Sequence, residues 1–392
     1  MSNNIISLGG NSRRNFITNC AAIASLPILA GLPVNAFAAG TENTLKVGII
    51  GTGGRGTGAG GNLLTASKQT GIPAKIWAVG DVFEKQASGA AKKFGVPAER
   101  TFSGFDSYQK VLDSGVDVVI LTAPPGFRPQ HLTAAIEKGV HVFAEKSVAV
   151  DPVGVKQVIL AGEAAKAKNL SIVAGTQRRH QNHYLEMMKR VQDGAIGEIV
   201  SGQCYWCQGG LWHKGGKDIT DMEYQLRNWL YFTWLSGDHI VEQHVHNIDV
   251  INWGFGGHPV KAFGMGGRQS RTAERYGDAF DHFSIEFEYA NGARVESFCR
   301  QAPGAQDRNG ERLIGTKGIA ASSSASASIK IFKGDTWKSG GSPDPYVQEH
   351  ADLLKAIRDN KPINEARTVA ESSLTGILGR MSAYTGKEIS YN

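Results

Sequence analysis

The sequence predicts an α/β protein in two parts: a doubly wound parallel sheet, followed by an α+β domain with a large mixed or antiparallel sheet. Three observations carry this. A buried strand, Leu45–Ile50, runs straight into a glycine-rich loop. Strand and helix patterns then alternate as far as Ala174, as a parallel sheet with crossover helices requires. From about Glu198 the alternation stops and strand candidates follow one another. The composition agrees: 392 residues at 41% hydrophobic and 20% charged exclude wholesale disorder and a coiled coil. The 49 glycines point to many tight turns and close backbone approaches.

The first segment reads as an address rather than as part of the fold. Ser12-Arg13-Arg14-Asn15-Phe16-Ile17 precedes an apolar stretch from Ala21 to Val34, and Ala36-Phe37-Ala38 follows it. Paired arginines, a short apolar region and an A-x-A-like site form a twin-arginine signal peptide over residues 1–38. This predicts export to the periplasm by the twin-arginine machinery. Pro27, Gly31 and Pro33 interrupt the apolar run, which falls short of the ~20 residues of a membrane span, so no stable span is expected. Loss of the two arginines lowers the formal charge from +6 to +4, and no Lys/Arg cluster follows. Nucleic acid is therefore not an expected partner. Cys204 and Cys207 lie three apart in a strand-like stretch and so face opposite ways, which suits buried apolar thiols rather than a redox pair.

Gly51-Thr52-Gly53-Gly54-Arg55-Gly56 fits G-x-G-x-x-G at a strand-to-helix turn. The first glycine permits the turn, the second lets backbone approach a pyrophosphate, and the third lets helix and strand pack closely. Backbone N–H groups at the helix start, with the helix dipole, favour the phosphates. The second strand, Ala74 to Gly80, ends at Asp81. A carboxylate there suits a ribose 2′-hydroxyl and repels a 2′-phosphate, so NAD is expected over NADP. The spacing exceeds the usual ~20 residues because Thr57–Thr70 extends the first crossover. Asp81 also suits a helix N-cap ahead of Phe83-Glu84-Lys85. Val116–Thr122 has the apolar run of a strand covered on both faces. A helix at Arg128–Lys138, a strand at His141–Ala144, a helix at Val153–Lys168 and a strand at Leu170–Ala174 complete a dinucleotide-binding Rossmann domain over residues 44–176.

Thr122-Ala123-Pro124-Pro125, His131, Ala144-Glu145-Lys146-Ser147 and, far downstream, His246-Asn247-Ile248-Asp249 occur in order behind that loop. In this combination the whole mature chain resembles the Gfo/Idh/MocA family of glucose–fructose oxidoreductase and inositol dehydrogenase. The resemblance implies an NAD(P)-dependent oxidoreductase acting on carbohydrate CH–OH groups. Thr122, Pro124, His131, Glu145 and Lys146 would then surround the cofactor, with His131 supporting its loop. Lys146 would lie between nicotinamide and substrate. A desolvated lysine beside a cationic ring gives up its proton more readily, which suits a base. Ser147 stands where relatives usually carry proline, which alters the lysine's setting. The family also implies a homodimer or homotetramer formed on the free face of the second sheet.

In Asp238–His246 relatives usually carry Asp four residues before the histidine; here the acid is Glu242, and His244 replaces a residue that is often glycine. If the stretch is helical, Glu242 and His246 share a face and His239 joins them. His246 is the expected general acid/base and Glu242 its orienting or relaying partner. A carboxylate with two histidines also suits zinc or manganese, but no fourth ligand is identifiable, and no metal is expected. Beyond the last parallel strand, Arg178 and His180 are expected to face the substrate. Tyr184, Trp206, Trp229, His244 and Asp249 complete the substrate candidates, although for Asp249 a structural role capping the segment is favoured. Interleaved aromatic and polar residues between Cys204 and Leu235, Trp206 and Trp229 among them, suit the C–H faces and hydroxyls of a pyranose.

The second domain, residues 177–392, has strand candidates at Ile199–Trp206, Val260–Gly264, His282–Tyr289, Arg294–Cys299 and Arg312–Gly315, with an Asn291-Gly292 hairpin turn. Ser322–Ser328 reads as a loop or weak strand. Helices at Tyr346–Asp359 and Thr368–Met381 close the chain, the second returning to the first domain. The expected function is an exported oxidoreductase passing hydride between a sugar, glycoside or polyol carbon, carbon 3 by resemblance, and tightly bound NAD. Tight binding is expected because the periplasm holds no dependable pool of free cofactor. The alternative is an NAD-dependent glycosidase using transient oxidation, elimination, hydration and re-reduction, with Glu242, His244 or Tyr184 as base. A non-catalytic sugar sensor is the third reading, and Lys146 with His246 argues against it.

Overall fold

The computed structural model describes residues 44–391. The signal peptide expected over residues 1–38 lies outside them. The first sheet has six parallel strands: β1 Leu45–Ile50, β2 Ala74–Asp81, β3 Thr101–Ser103, β4 Val118–Leu121, β5 His141–Ala144 and β6 Ile172–Ala174. Their spatial order is β3-β2-β1-β4-β5-β6, so the winding direction reverses between β1 and β4. That reversal opens a crevice at the carboxyl ends of the strands. All four residues of β4 are buried, as the apolar run at its position demands. Crossover helices α1 Gly54–Thr70, α2 Glu84–Phe94, α3 Ser107–Asp113, α4 Arg128–Glu137 and α5 Pro152–Ala167 cover the two faces.

After α6 (Asn182–Gln192) the chain enters a nine-stranded sheet. Its strands are β7 Ile199–Gln208, β8 Lys261–Gly267, β9 His282–Glu288, β10 Arg294–Gln301, β11 Arg308–Gly315, β12 Gly318–Ser322, β13 Ala327–Ile331, β14 Thr336–Lys338 and β15 Ile389–Ser390. The order is β14-β13-β12-β11-β7-β10-β9-β8-β15, antiparallel except for the β7–β10 pair. Between β7 and β8 lie the short helices α7 Asp221–Arg227, α8 Thr233–Ser236 and α9 His239–Glu242, then α10 Val245–Phe255. The serine-rich stretch turns the β12–β13 hairpin, with Ser323 N donating to the Ser326 carbonyl at 2.9 Å.

The chain ends with α11 Pro345–Arg358 and α12 Ala366–Thr385. Both reach the first sheet, where the sequence pattern suggested one. Val347, Ala351, Leu354 and Ile357 of α11 join Leu63 of α1 and Ile49 of β1 in one core. Ala366, Val369 and Ile377 of α12 join Val158 of α5 and Ile285 and Phe287 of β9 in the other. Among the described residues no helix is long and apolar enough to cross a membrane.

Candidate active site

The glycine loop is built by contacts that exclude side chains. Gly51 has φ +88°, and a Cβ there would sit 2.4 Å from the Ala123 nitrogen. A Cβ on Gly56 would sit 1.9 Å from the Gly51 carbonyl oxygen. Gly53 and Gly54, by contrast, have nothing within 4 Å of that position and face open space. Thr122 Oγ1 donates to the Gly51 carbonyl at 2.6 Å, tying the loop to the end of β4. The adjoining cleft, about 300 Å³, is lined by Gly51, Gly53, Asp81, Thr122, Pro124 and His131 among others. Asp81 is not the N-cap of α2, which is Phe83. Its carboxylate instead accepts from Thr52 N at 2.7 Å and Phe83 N at 2.9 Å, joining two loops while lining the cleft. His131 stacks on Tyr108 with ring centroids 4.5 Å apart. Burial and the Arg128 charge push its pKa down to about 3, so it is neutral. Trp229, expected at the substrate, lines this cleft beside Leu226 and Arg227, because the segment after β7 folds back over the first sheet.

Strand β5 pairs with β4, Ala144 opposite Leu121, which sets Glu145-Lys146 beside Thr122-Ala123. The Lys146–Ser147 peptide is cis, with serine in the position relatives give to proline. Lys146 Nζ lies 2.6 Å from Glu242 Oε1 and also donates to the Glu242 carbonyl. Ser147 Oγ donates to the Val241 carbonyl, so two adjacent residues are stitched to one helical turn. Arg128, 2% exposed, donates to the carbonyls of Ser147 at 2.5 Å, Lys146 at 3.3 Å, and Ala123. It holds the lysine loop from behind. Sequence reasoning missed it, since an arginine opening a helix carries no motif.

Arg55 and Glu145, expected against the cofactor, pair with each other, and Arg55 also reaches Glu349 of α11 at 2.9 Å. Neither lines the cleft. They brace the start of α1 against β5 and α11.

The histidine segment is not one helix. Gln243, at φ −112° and ψ −48°, separates α9 from α10, and the three rings diverge. His239 meets Gln301 at 3.1 Å and the Trp206 carbonyl at 3.4 Å. His244 is fully buried against Ser297 Oγ at 2.7 Å and Cys204, inside the sheet, so it cannot touch substrate as expected. His246 stacks on the Trp206 indole, centroids 5.6 Å apart. Burial first, then the charges of Lys146 and Arg178, hold His246 well below its ordinary pKa, and burial takes His239 and His244 to about 3. Among the described residues no cluster of three His, Cys, Asp or Glu side chains is placed to hold a metal.

Burial corrects three more substrate candidates, Arg178, Tyr184 and His180, and gives Asp249 its structural role. Arg178, 2% exposed, lies beneath Trp206 and pairs with Glu311 of β11. Tyr184 is fully buried and donates to the same carboxylate at 3.1 Å; burial and that charge raise its pKa, which unfits it as a base. Asp249 takes two bonds from Arg179, at 2.8 and 3.0 Å, and one from Ser372 at 2.8 Å. His180 turns toward Asp352 in the middle of α11, at 2.7 Å, and Glu365 at the N-cap of α12, at 3.5 Å. Arg178, Tyr184 and His180 were read as facing a ligand, whereas each satisfies a partner distant in sequence. Glu311, which accepts from Tyr184, Asn247 and Ser322 as well as Arg178, gave no signal beyond an acid in a strand pattern.

Residues 45–190 match the model of an oxidoreductase family with an NAD-binding Rossmann fold, and residues 184–321 match that of the GFO/IDH/MocA C-terminal domain. Inositol 2-dehydrogenase 3 of Saccharopolyspora erythraea is 30% identical over 253 residues, 64% of this chain and 65% of that protein. The match thus spans just under two thirds of that relative's length. The NAD(+)-dependent scyllo-inositol 2-dehydrogenase of Bacillus subtilis is 24% identical over 280 residues, 71% and 73% of the two chains. Among solved structures, levoglucosan dehydrogenase in complex with NADH and levoglucosan superimposes with a TM-score of 0.71 at 18% identity, over 89% of this chain and 99% of that one. The myo-inositol 2-dehydrogenase of Lactobacillus plantarum gives 0.68 at 19% identity, over 89% and 100%. These neighbours share the six-stranded parallel sheet and the second mixed sheet. On both family matches, this chain belongs to the Gfo/Idh/MocA family of oxidoreductases.

Proposed function

We propose that the protein oxidises a ring hydroxyl of a cyclic polyol or sugar with NAD, by a reversible hydride transfer. The observation that carries this is the Lys146–Glu242 pair, 2.6 Å apart, held near His246 and Trp206 one strand away from the dinucleotide cleft. The residues present fit a dinucleotide: the pinched Gly51–Gly56 contact and the open space above Gly53 and Gly54 form a cradle that any Cβ at 51 or 56 would break. Asp81 on the cleft wall suits a ribose diol and supports NAD over NADP. When bound, nicotinamide supplies the hydride acceptor.

The chain's own groups handle the hydroxyl. Trp206 offers an apolar face to ring C–H groups. Neutral His246 is in the form that accepts a proton, and Glu242 keeps the Lys146 amine aimed at the site. The names of the relatives, inositol and levoglucosan dehydrogenases, support a cyclic polyhydroxylated substrate. The glycosidase alternative loses two of its three candidate bases, since His244 and Tyr184 are sealed in the core. Export with NAD retained is part of the proposal and rests on the Arg13-Arg14 signal. So is a dimer or tetramer on the sheet face where Phe263 and Met265 are exposed.

The test is a panel of inositols, levoglucosan, free sugars and chromogenic glycosides, with reduced-nicotinamide absorbance and released aglycone followed together. Stable reduction without aglycone release is expected. Binding of NAD with no reduction by any alcohol would sink the proposal, and aglycone release with only transient reduction would replace it with the glycosidase.

A further inference from the structure

Asp238 has φ +82° and ψ 165°, a backbone region that is nearly glycine's alone. It is fully buried. Its carboxylate accepts from His239 N at 2.6 Å, Phe280 N at 3.1 Å and Tyr384 Oη at 2.7 Å. One residue earlier, the Gly237 carbonyl accepts from Arg380 at 2.8 Å, and the same guanidinium donates to the Val150 carbonyl at 2.9 Å. Four residues later, Glu242 holds Lys146 while Val241 accepts from Ser147.

These contacts close a ring. The lysine loop, residues 146–150, is tied at one end to the last residues of α9 and at the other to Arg380 of α12. Asp238 anchors the first turn of α9 to α12 and to Phe280, two residues before β9. A strained residue persists only where its surroundings over-determine it, and here the over-determination comes from three donors on one carboxylate.

We propose that Asp238 is a positioning residue for the reaction: with Tyr384 it fixes the turn 238–242 so that the Glu242 carboxylate stays on the Lys146 amine. Asp238 itself touches neither the cleft nor the lysine, and acts through Glu242. The inference rests on the oxidoreductase reading but can be tested apart from it.

The variants are Asp238→Gly, which keeps the backbone accessible and removes the carboxylate, Asp238→Asn, which keeps one acceptor, and Tyr384→Phe, which removes one donor at the helix. In the full chain, kcat per NAD-binding molecule is expected to fall by about tenfold to a hundredfold in Asp238→Gly, the cost of misplacing a reacting group by about 1 Å. KM and the Kd for NAD are expected to stay near wild type, with smaller losses of kcat for Asp238→Asn and Tyr384→Phe. A purely structural role would lower the melting temperature and leave kcat per folded molecule intact. Independently of any substrate, reductive methylation mapped by mass spectrometry is expected to label Lys146 faster in Asp238→Gly and Tyr384→Phe. Unchanged kcat and unchanged Lys146 labelling in both variants would overturn the proposal. Faster labelling in a protein whose wild type oxidises no alcohol would instead keep it and remove the oxidoreductase reading.

Discussion

The Arg178–Glu311 pair separates two views of the space beneath Trp206. Sequence reasoning placed Arg178 against the substrate; the structure buries both side chains, 3% and 1% exposed. Around Glu311 stand Arg178, Asn247 at 2.6 Å, Ser322 at 2.7 Å and Tyr184 at 3.1 Å. In Arg178→Met the three neutral donors remain but the only cation of the cluster is gone. Removing one partner of a buried ion pair costs about 3–5 kcal/mol, because the other charge is left uncompensated. At about 2 °C per kcal/mol for a large domain, the expected fall in Tm at neutral pH is about 6–10 °C.

The cost should depend on pH in a set direction. Burial already raises the Glu311 pKa, and loss of the arginine raises it further. The folded variant then binds its proton more tightly than the unfolded chain, so its stability rises as pH falls toward the carboxylate range. The gap to wild type should therefore narrow in acid. Adding Glu311→Gln should recover much of the loss, since the amide oxygen still accepts from Ser322 or Asn247. Thermal melts of the single and double variants across pH, with KM in parallel, form the assay. An Arg178→Met protein that melts like wild type but shows a raised KM would refute this placement and return Arg178 to the substrate.

Other outcomes follow from the same geometry. Lys146→Ala should keep NAD affinity and lose about 10²–10⁴ in kcat, the usual weight of a proton-transfer group; wild-type turnover would exclude the lysine from the chemistry. Gly56→Ala must push the Gly51 carbonyl out of a 1.9 Å contact and should weaken NAD binding about a hundredfold or more, read by fluorescence titration. For His180, burial opposes the charge but its bonds to Asp352 and Glu365 prevail and lift the pKa from 6.5 to about 10. The stability it contributes is complete below about pH 6.5 and is lost as pH rises through about 10, so His180→Gln should flatten the alkaline limb of a Tm–pH profile. An unchanged limb would mean that the ring is neutral.

What was legible in the sequence is what depends on neighbours along the chain. The glycine loop and the β4 apolar run report backbone contacts and two-sided burial directly, and both stand where the pattern put them. Lys146 was legible through its motif. The polar side chains after β6 and around His244 were not, because residue type does not say whether a group faces a ligand or a buried partner. Those partners lie far off: Glu311 is 133 residues from Arg178, Ser297 is 53 from His244, and Asp249 is 70 from Arg179. Trp229 failed for another reason. An excursion after β7 carries it to the other sheet's cleft, and no local period encodes that crossing.

The charges around the site explain why three histidines within eight residues do not make three acid–base groups. Arg55, Lys146 and Arg178 each have a carboxylate of their own, Glu145 with Glu349, Glu242 and Glu311, supplied by different elements. Among the described residues no carboxylate pairs with any of these three imidazoles. Protonating His246 would add a buried cation to a field in which Lys146, Arg178 and Arg55 already oppose it. His239 faces the Arg271 charge in the same way, and the buried His244 meets a hydroxyl and a thiol rather than an acid. All three rings are therefore held toward the neutral form. Lys146, by contrast, has its counterion beside it in Glu242. The division of labour lies in which side chains have counterions, and for Lys146 the placement of α9 supplies it.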